Sequence, residues 1–450
     1  LRYEAHCSSM QQDLWKDARE FLLSERGGIL QLVGLDSPTH TLFGRIHHDA
    51  KLPEQTYSVQ QVLKCMLHQA QLDLQETLEL SATDLLRLGA VWKLSAPNDG
   101  GTNSKLKRQR QFLENATDSL QSNIQSLRVH FRPSRFPAAY TVDWTLPPRQ
   151  STVHAKKPFA ILDWNLNHGY AVINKPCGLA SHATVDNGVE NVLYQVKQQF
   201  SEAGCLEKAS LPQRLDIETE GLLLVALKPE FASYIGRLLE KKSLSCDTCG
   251  IYKQYKCLVH LLSKEQREKL VCKLSTDDRR HGLLVEHYMD PKSVAPKTFQ
   301  SIHCDGWLKC ALRILDIGPV MTWIVNDDET GVDDEQQLLV QVRVTLLTGR
   351  THQIRGQFAA MSMPLVGDPL YGRQSCKCNR EWDAKRSRGD ALLGETGRLG
   401  LQCCISSFLK PKWEFHAKKN RNILVQDESG EYCRYRLEEG WWSERLVQVD

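Results

Sequence analysis

The sequence predicts an α+β protein, and three observations lead there. Short apolar runs with strand character alternate with helical stripes from Phe159 to about Phe408. Gly, Pro and polar turns bound most of those runs. A separate stretch, 56–96, has helical periodicity of its own. The 450 residues leave room for two or three domains. With 41% hydrophobic and 25% charged residues, a disordered chain and a fibrous repeat are both excluded.

Residues 1–50 hold one helix near Gln11–Ser24 and then a glycine-punctuated stretch from Gly27 to Gly44, with no motif of recognised role. In the next region, Ser58 precedes Val59, Val62, Leu63, Met66, Leu67 and Ala70, a helical stripe with a cap at its start. Ser81-Ala82-Thr83-Asp84 opens a second short helix, stopped by Gly89, and a strand over Ala90–Leu94 follows. Lys105, Lys107, Arg108 and Arg110 then form a basic run, either a solvated insertion or a loop that meets phosphates. Leu127–Pro133 alternates basic and apolar residues as a half-exposed strand does.

In the large block, strands are predicted over Tyr170–Asn174, Gly221–Leu227, Tyr255–Leu261, Leu308–Leu315 and Gln337–Leu347. The polar segments 263–305 and 373–398 read as surface insertions. Residues 424–450 read as a C-terminal tail, and 51–135 and 159–423 as the two domains.

Charge and cysteine usage limit the function classes. Subtracting 54 acidic from 57 basic residues gives +3, too near neutral for nucleic acid to bind over the whole surface. A local patch is still allowed. Fifteen cysteines in 450 residues are too sparse for a disulfide scaffold, so reduced thiols in an intracellular protein are expected. No run of eighteen apolar residues occurs, so no membrane partner is expected. Leu1 stands where an initiator Met is usual, which suggests an incomplete or processed N-terminus. The compartment, an organelle included, and the oligomeric state are left open.

Four motifs carry chemistry. Gln213-Arg214-Leu215-Asp216 leads into the apolar run Leu222–Ala226. A carboxylate there either caps a turn or is held by a cation for chemistry. Thr348-Gly349-Arg350-Thr351-His352-Gln353-Ile354-Arg355 joins a strand to a helix. Its cations fit a phosphate or an internal ion pair equally well. Tyr170–Lys175 is an apolar strand ending in a Lys-Pro turn, and Tyr255 opens a strand, where packing is the ordinary role of a tyrosine.

In this order the motifs resemble those of the RluA-type RNA pseudouridine synthases, over about residues 159–408. The matching blocks are Asn174-Lys175-Pro176-Cys177-Gly178-Leu179, then Arg214-Leu215-Asp216 with Thr219 and Gly221. Lys253-Gln254-Tyr255 follows, then Gly349–Arg355, then Val366-Gly367-Asp368 with Tyr371-Gly372. The resemblance implies a catalytic core on a mixed, mainly antiparallel sheet with flanking helices. It implies isomerisation of uridine to pseudouridine in structured RNA, transfer or ribosomal RNA foremost, with no metal, nucleotide or redox cofactor.

By the same resemblance, Asp216 is the catalytic aspartate, acting on a flipped-out base. Tyr255 stacks on that base and helps move protons, and Arg355 is the ionic partner of Asp216. Arg214 fills the space the base leaves, while Arg350, His352 and Lys175 line the RNA path. An idle RNA-binding relative of the same fold is the alternative, although binding alone does not need Asp216, Tyr255 and Arg355 together.

The sequence departs from the family pattern at Gln213 for His, Glu220 for Ser, Leu227 for Lys and Gln402 for His. Glu220 is expected to add negative charge near the RNA face. Residues 51–135 resemble a degenerate alpha-L RNA-binding module, the basic run interrupting it, with a plain helical spacer as the alternative. Cys246, Cys249, Cys376 and Cys378 form two short pairs that could hold a structural zinc, with free thiols as the other reading.

Overall fold

The computed structural model describes residues 29–36, 41–47, 57–74, 80–95, 107–120, 125–131, 133–134, 136, 160–200, 208–244, 250–276, 282–323, 337–372 and 398–449. The helix expected near Gln11–Ser24 and all four candidate zinc cysteines lie outside them. Among the described residues no cluster of metal-ligating side chains occurs, and no helix is long and apolar enough to cross a membrane. The chain divides into two compact units, 1–136 with 182–195, and 137–181 with 196–450.

Among the described residues, the main sheet of the first unit has five antiparallel strands: β1 (Ile29–Asp36), β2 (Thr41–His47), β3 (Val91–Ser95), β4 (Lys107–Gln111) and β5 (Gln125–His130). They lie in the order β1-β2-β5-β3-β4. Helix α1 (Val59–Leu74) has the expected stripe, with Val59, Leu63 and Met66 fully buried. In α2 (Ala82–Leu88), Ser81 and Asp84 form a reciprocal capping box, and Gly89 ends the helix at φ 65°, where a side chain would be strained.

Three expectations change in this unit. The glycine-punctuated stretch before residue 50 supplies β1 and β2. The basic run does not interrupt the module, because Lys107–Gln111 is its edge strand. Nor is Arg110 free for a phosphate. It donates to the carbonyls of Gly89 (2.6 Å) and Thr184 (2.5 Å), and its guanidinium lies 4.4 Å from the centre of the Trp92 ring. Residues 182–195 are bound into this unit by Trp92 Nε1 donating to Val185 O and by Phe136 N donating to the Glu190 carboxylate. A short helix, α3 (Val192–Gln199), begins there.

The second unit is built on one large sheet. Its strands are β6 (Ala160–Asn165), β7 (Tyr170–Lys175), β8 (Glu220–Ala226), β9 (Ile251–His260), β10 (Leu283–Met289), β11 (Phe299–Gln300), β12 (Leu308–Trp323), β13 (Leu339–Leu346) and β14 (Leu401–Leu409). The order is β11-β10-β12-β13-β9-β14-β8-β7-β6, antiparallel except for the β8–β14 contact. Helices α4 (Pro229–Leu244), α5 (Lys264–Thr276) and α6 (Gln353–Ala360) complete the α+β unit. From α4, Phe231 packs on Tyr170 and Phe408, building the core near the β6 end.

Two segments expected outside the core belong to it. Within 263–305, β10 pairs along its whole length with β12, and α5 is regular although it buries no residue. The expected tail is also folded. After the hairpin of β15 (Pro411–His416) and β16 (Arg421–Gln426), β17 (Tyr432–Arg436) pairs with β14 and β18 (Leu446–Gln448) with β12. Trp442 is 1% exposed and packs with Leu258, Trp323, Leu339 and Val366. Residues 424–449 are therefore structural parts of the second unit.

Where β8 crosses β14, Gly221 sits at φ +110°, and a Cβ there would stand 2.3 Å from the carbonyl oxygen of Cys403. No rotamer relieves a clash with backbone. Gly221→Ala should lower stability by about 2–3 kcal/mol, from backbone strain plus overpacking. A urea titration checks it, and a loss under about 0.5 kcal/mol would contradict the close approach.

Candidate active site

The loop ahead of β8 is fixed before its side chains are considered. Ser181 Oγ donates to Leu215 O at 2.5 Å and accepts from Leu215 N at 3.1 Å. The carbonyl of Ile217 accepts from Gly178 N and from the Lys175 ammonium, both at 2.9 Å. Thr219 N closes a turn onto Asp216 O. The Asn-Lys-Pro turn and the Arg-Leu-Asp loop are thus tied to each other.

Three carboxylates alternate here, and each has its own nitrogen partner, an imidazole for Asp216 and a guanidinium for the other two. Asp216 Oδ2 lies 4.0 Å from His352 Nε2, Glu218 pairs with Arg355 at 3.1 Å, and Glu220 pairs with Arg398 at 3.2 Å. Asp216 is 21% exposed, so it combines a desolvated setting with an open approach.

Arg355 is not paired directly with Asp216. Its Nε and Nη2 make two 2.8 Å bonds to Asp368, and Nη1 donates to Glu218. Burial alone would lower its pKa. The bonds and charge of Asp368, then the charges of Glu218 and Asp216, raise it instead, so the cation is secured. The expected ion pair is replaced by a field: two nearer carboxylates take the guanidinium's donors, and Asp216 meets its charge only at longer range.

Lys175 also departs from expectation. It is fully buried, and its ammonium donates to the carbonyls of Pro176 (2.9 Å), Leu179 (2.6 Å) and Ile217 (2.9 Å). It therefore cannot line a path for RNA; it staples the loop that carries Asp216. Burial lowers its pKa to about 8, against the fields of Cys177, Glu218, Asp216 and Glu220.

Tyr255 is 5% exposed on β9, opposite Val344 and Cys403, beside a bulge in the β9–β14 ladder. Burial first, then Cys403 and Asp216, hold its phenol well above the ordinary range, so it stays protonated. His352 sits in the left-handed region (φ 55°) just ahead of α6, its side chain 14% exposed and its Nδ1 3.3 Å from Tyr371 Oη. Arg214 and Arg350 are exposed, Arg214 donating to Thr351 Oγ1 at 3.0 Å. Gln353 braces the Gly-Arg-Thr-His turn, its Oε1 accepting from Thr348 Oγ1 and Arg350 N.

Sequence reasoning missed Glu218, Asp368 and Tyr371 as members of the site. The segment Pro364–Gly372 read as turn-forming with little chemistry, yet Asp368 is 1% exposed and Tyr371 lies beneath Arg355 at 5.5 Å. The available signal was an Asp set between Gly367 and Pro369, a place that favours a caged carboxylate; Asp368 Oδ1 indeed also accepts from Leu370 N and Tyr371 N.

Two departures from the family pattern account for each other. Glu220 and Gln402 face one another across β8 and β14, and Gln402 Nε2 donates to Glu220 Oε1 at 3.2 Å. Glu220 is 6% exposed, and its pKa is raised by burial against the opposing charge of Arg398. The charge is therefore turned inward, not added to an RNA face.

Residues 169–360 match the family described as RNA pseudouridylate synthase. RNA pseudouridine synthase 6, chloroplastic, from Oryza sativa is 27% identical over 72% of this chain and 61% of its own length. Its Arabidopsis thaliana namesake is 25% identical over 58% of this chain and 48% of its own. The chain thus spans about half to three-fifths of those relatives. Ribosomal large subunit pseudouridine synthase D of a Buchnera aphidicola strain is 23% identical over 48% of this chain and 56% of its own. Human RNA Pseudouridylate Synthase Domain Containing 1 aligns at TM-score 0.37 and 16% identity, over 63% of this chain and 91% of that one. The matched segment and the motif residues it contains support an RluA-like RNA pseudouridylate synthase region over residues 169–360.

Proposed function

We propose that the protein is an RNA pseudouridine synthase that isomerises uridine in structured RNA, with Asp216 as the catalytic carboxylate. The observation that carries this reading is the setting of Asp216. It is a partly open carboxylate on a loop stapled by Lys175 and Ser181, with His352 beside it and a secured guanidinium behind. A carboxylate so placed can attack either the ribose or the uracil ring, releasing the base to turn and rejoin through carbon 5. The target base has to leave its stack, at a cost of a few kcal/mol. In this reading exposed Arg214 holds the vacated space, Tyr255 walls the pocket, and Arg350 meets phosphate. Transfer or ribosomal RNA is the substrate class we favour; the relatives named for the large ribosomal subunit support it. Two relatives named chloroplastic support an organelle as the compartment.

Pseudouridine maps of RNA from cells carrying wild type and Asp216→Asn test the assignment. Sites lost in the variant name the substrate; a folded, expressed variant that loses none would favour the idle RNA-binding alternative. Arg350→Ala should weaken binding of that RNA and flatten its salt dependence by about 0.7–0.9 of a log unit per log unit of salt, the effect of one phosphate contact. A binding curve with unchanged slope would remove Arg350 from the RNA path.

A further inference from the structure

A directional chain of hydrogen bonds ends at His352, beside Asp216. Lys297 N, which can only donate, lies 2.8 Å from Tyr371 Oη. Tyr371 is 1% exposed, and burial raises its pKa to about 12, so its hydroxyl keeps its hydrogen. With its oxygen taken by Lys297, that hydroxyl has His352 Nδ1, at 3.3 Å, as its acceptor among the described residues. An accepting Nδ1 leaves the ring proton on Nε2, and Nε2 is the atom 4.0 Å from Asp216 Oδ2. The tautomer follows from these bond directions.

The groups facing this ring are Asp216, Glu218, Arg355, Asp368 and Tyr371. Burial lowers its pKa, Asp216 opposes that and Arg355 adds to it, so the imidazole carries one proton at neutral pH. A non-glycine residue at φ 55° costs on the order of 1–3 kcal/mol, and here the strain sets the ring against the nucleophile. Tyr255, a further aromatic group of the site, is 5% exposed on a strand paired on both sides.

We propose that His352 is a catalytic hydrogen-bond donor, its Nε2–H shared between the Asp216 carboxylate and the uracil ring as negative charge moves from one to the other. The inference rests on the pseudouridine synthase reading and adds a residue to it. When Asp216 forms its adduct, its negative charge is lost to the new bond. If the adduct is with ribose, the N1–C1′ pair stays on N1 and spreads to O2; if with the ring, the charge moves to a ring carbonyl. Either way a carbonyl oxygen of uracil becomes the acceptor for Nε2–H, and no proton leaves His352. The isomerisation itself balances, carbon 5 losing one proton and N1 gaining one. The 4.0 Å separation is longer than a hydrogen bond, as is usual before substrate closes a site.

Nitrogen-15 NMR of the imidazoles in the full chain at pH 7.5, with the His352 signal assigned from His352→Gln, should show one proton on Nε2. Tyr371→Phe should turn that signal into a mixture of tautomers. A wild-type ring protonated on Nδ1, or on both nitrogens, would overturn the inference whatever the activity. With an RNA from the mapping experiment, His352→Leu should lose 10²–10³-fold in single-turnover rate, the cost of one charge-stabilising donor, with RNA affinity within twofold. His352→Gln, which keeps an N–H near the Nε2 position, should recover part of that loss. Adding Tyr371→Phe to His352→Leu should cost nothing more. A folded His352→Leu enzyme at the wild-type rate, losses that follow RNA affinity, or additive double-variant losses would each refute the role while leaving the function intact. Wild type that forms no pseudouridine in any RNA would instead remove the functional reading, and the catalytic role with it.

Discussion

Replacing Arg355 with alanine is expected to cost about 3–5 kcal/mol of stability, as well as activity. Arg355 is completely buried, and two of its donors grip Asp368, itself 1% exposed. Without the guanidinium, Asp368 loses both of its 2.8 Å charge-assisted bonds, while the N–H groups of Leu370 and Tyr371 still reach it. Glu218, being 30% exposed, can turn to solvent, so most of the loss belongs to Asp368. Denaturant melts of Arg355→Ala, Asp368→Asn and the double variant check this. The double variant should be several kcal/mol more stable than the sum of the single losses predicts, because it leaves no orphaned charge. Additive losses would mean that the pair does not act as a unit. Where Arg355→Ala stays folded, turnover should fall further than RNA affinity, since a buried guanidinium does not reach a phosphate.

What the sequence made legible, and what it hid, follows from how far each feature depends on neighbours distant in the chain. Asp216, Tyr255, His352 and Arg355 sit in blocks of fixed local spacing, and the structure brings the loop of Asp216 to the turn of His352 and Arg355. The strands β7 and β8 were readable because dense β-branched and leucine runs mark strands buried on both faces, and β13 because buried apolar residues alternate with polar ones along it. Partner choice was not readable. Three carboxylates compete for Arg355, and only the folded chain decides that Asp368 takes the bidentate position. Strand β10 and helix α5 were hidden for a different reason: β10 is only partly buried and α5 buries nothing, so neither has the contrast between faces that reveals an element. The tail escaped because β17 is short and largely polar and β18 only three residues long, and their anchor, Trp442, buries itself among residues from four other segments.

Lys175 supplies the second large effect, and its sign is set by burial. In the unfolded chain its ammonium titrates near 10.5, and in the folded protein near 8. Between those values the unfolded state binds a proton that the folded state has released, so stability rises with pH across the window. Below about pH 8 both states are protonated and the contribution is flat. The shift corresponds to about 3 kcal/mol by the linkage relation. Lys175→Met fills similar space and cannot titrate, so the stability of wild type minus that of Lys175→Met should be level up to about pH 8. It should then climb by up to about 3 kcal/mol toward pH 10.5. Urea titrations of both proteins at matched pH give the difference directly, and groups common to both cancel. A flat difference, or one that falls with pH, would show that the three carbonyls hold the ammonium charged more strongly than burial expels it. The same variant separates a staple from an RNA contact: with the loop held in place by Ser181 and Gly178, Lys175→Met should leave the salt dependence of RNA binding as in wild type, where Arg350→Ala changes it.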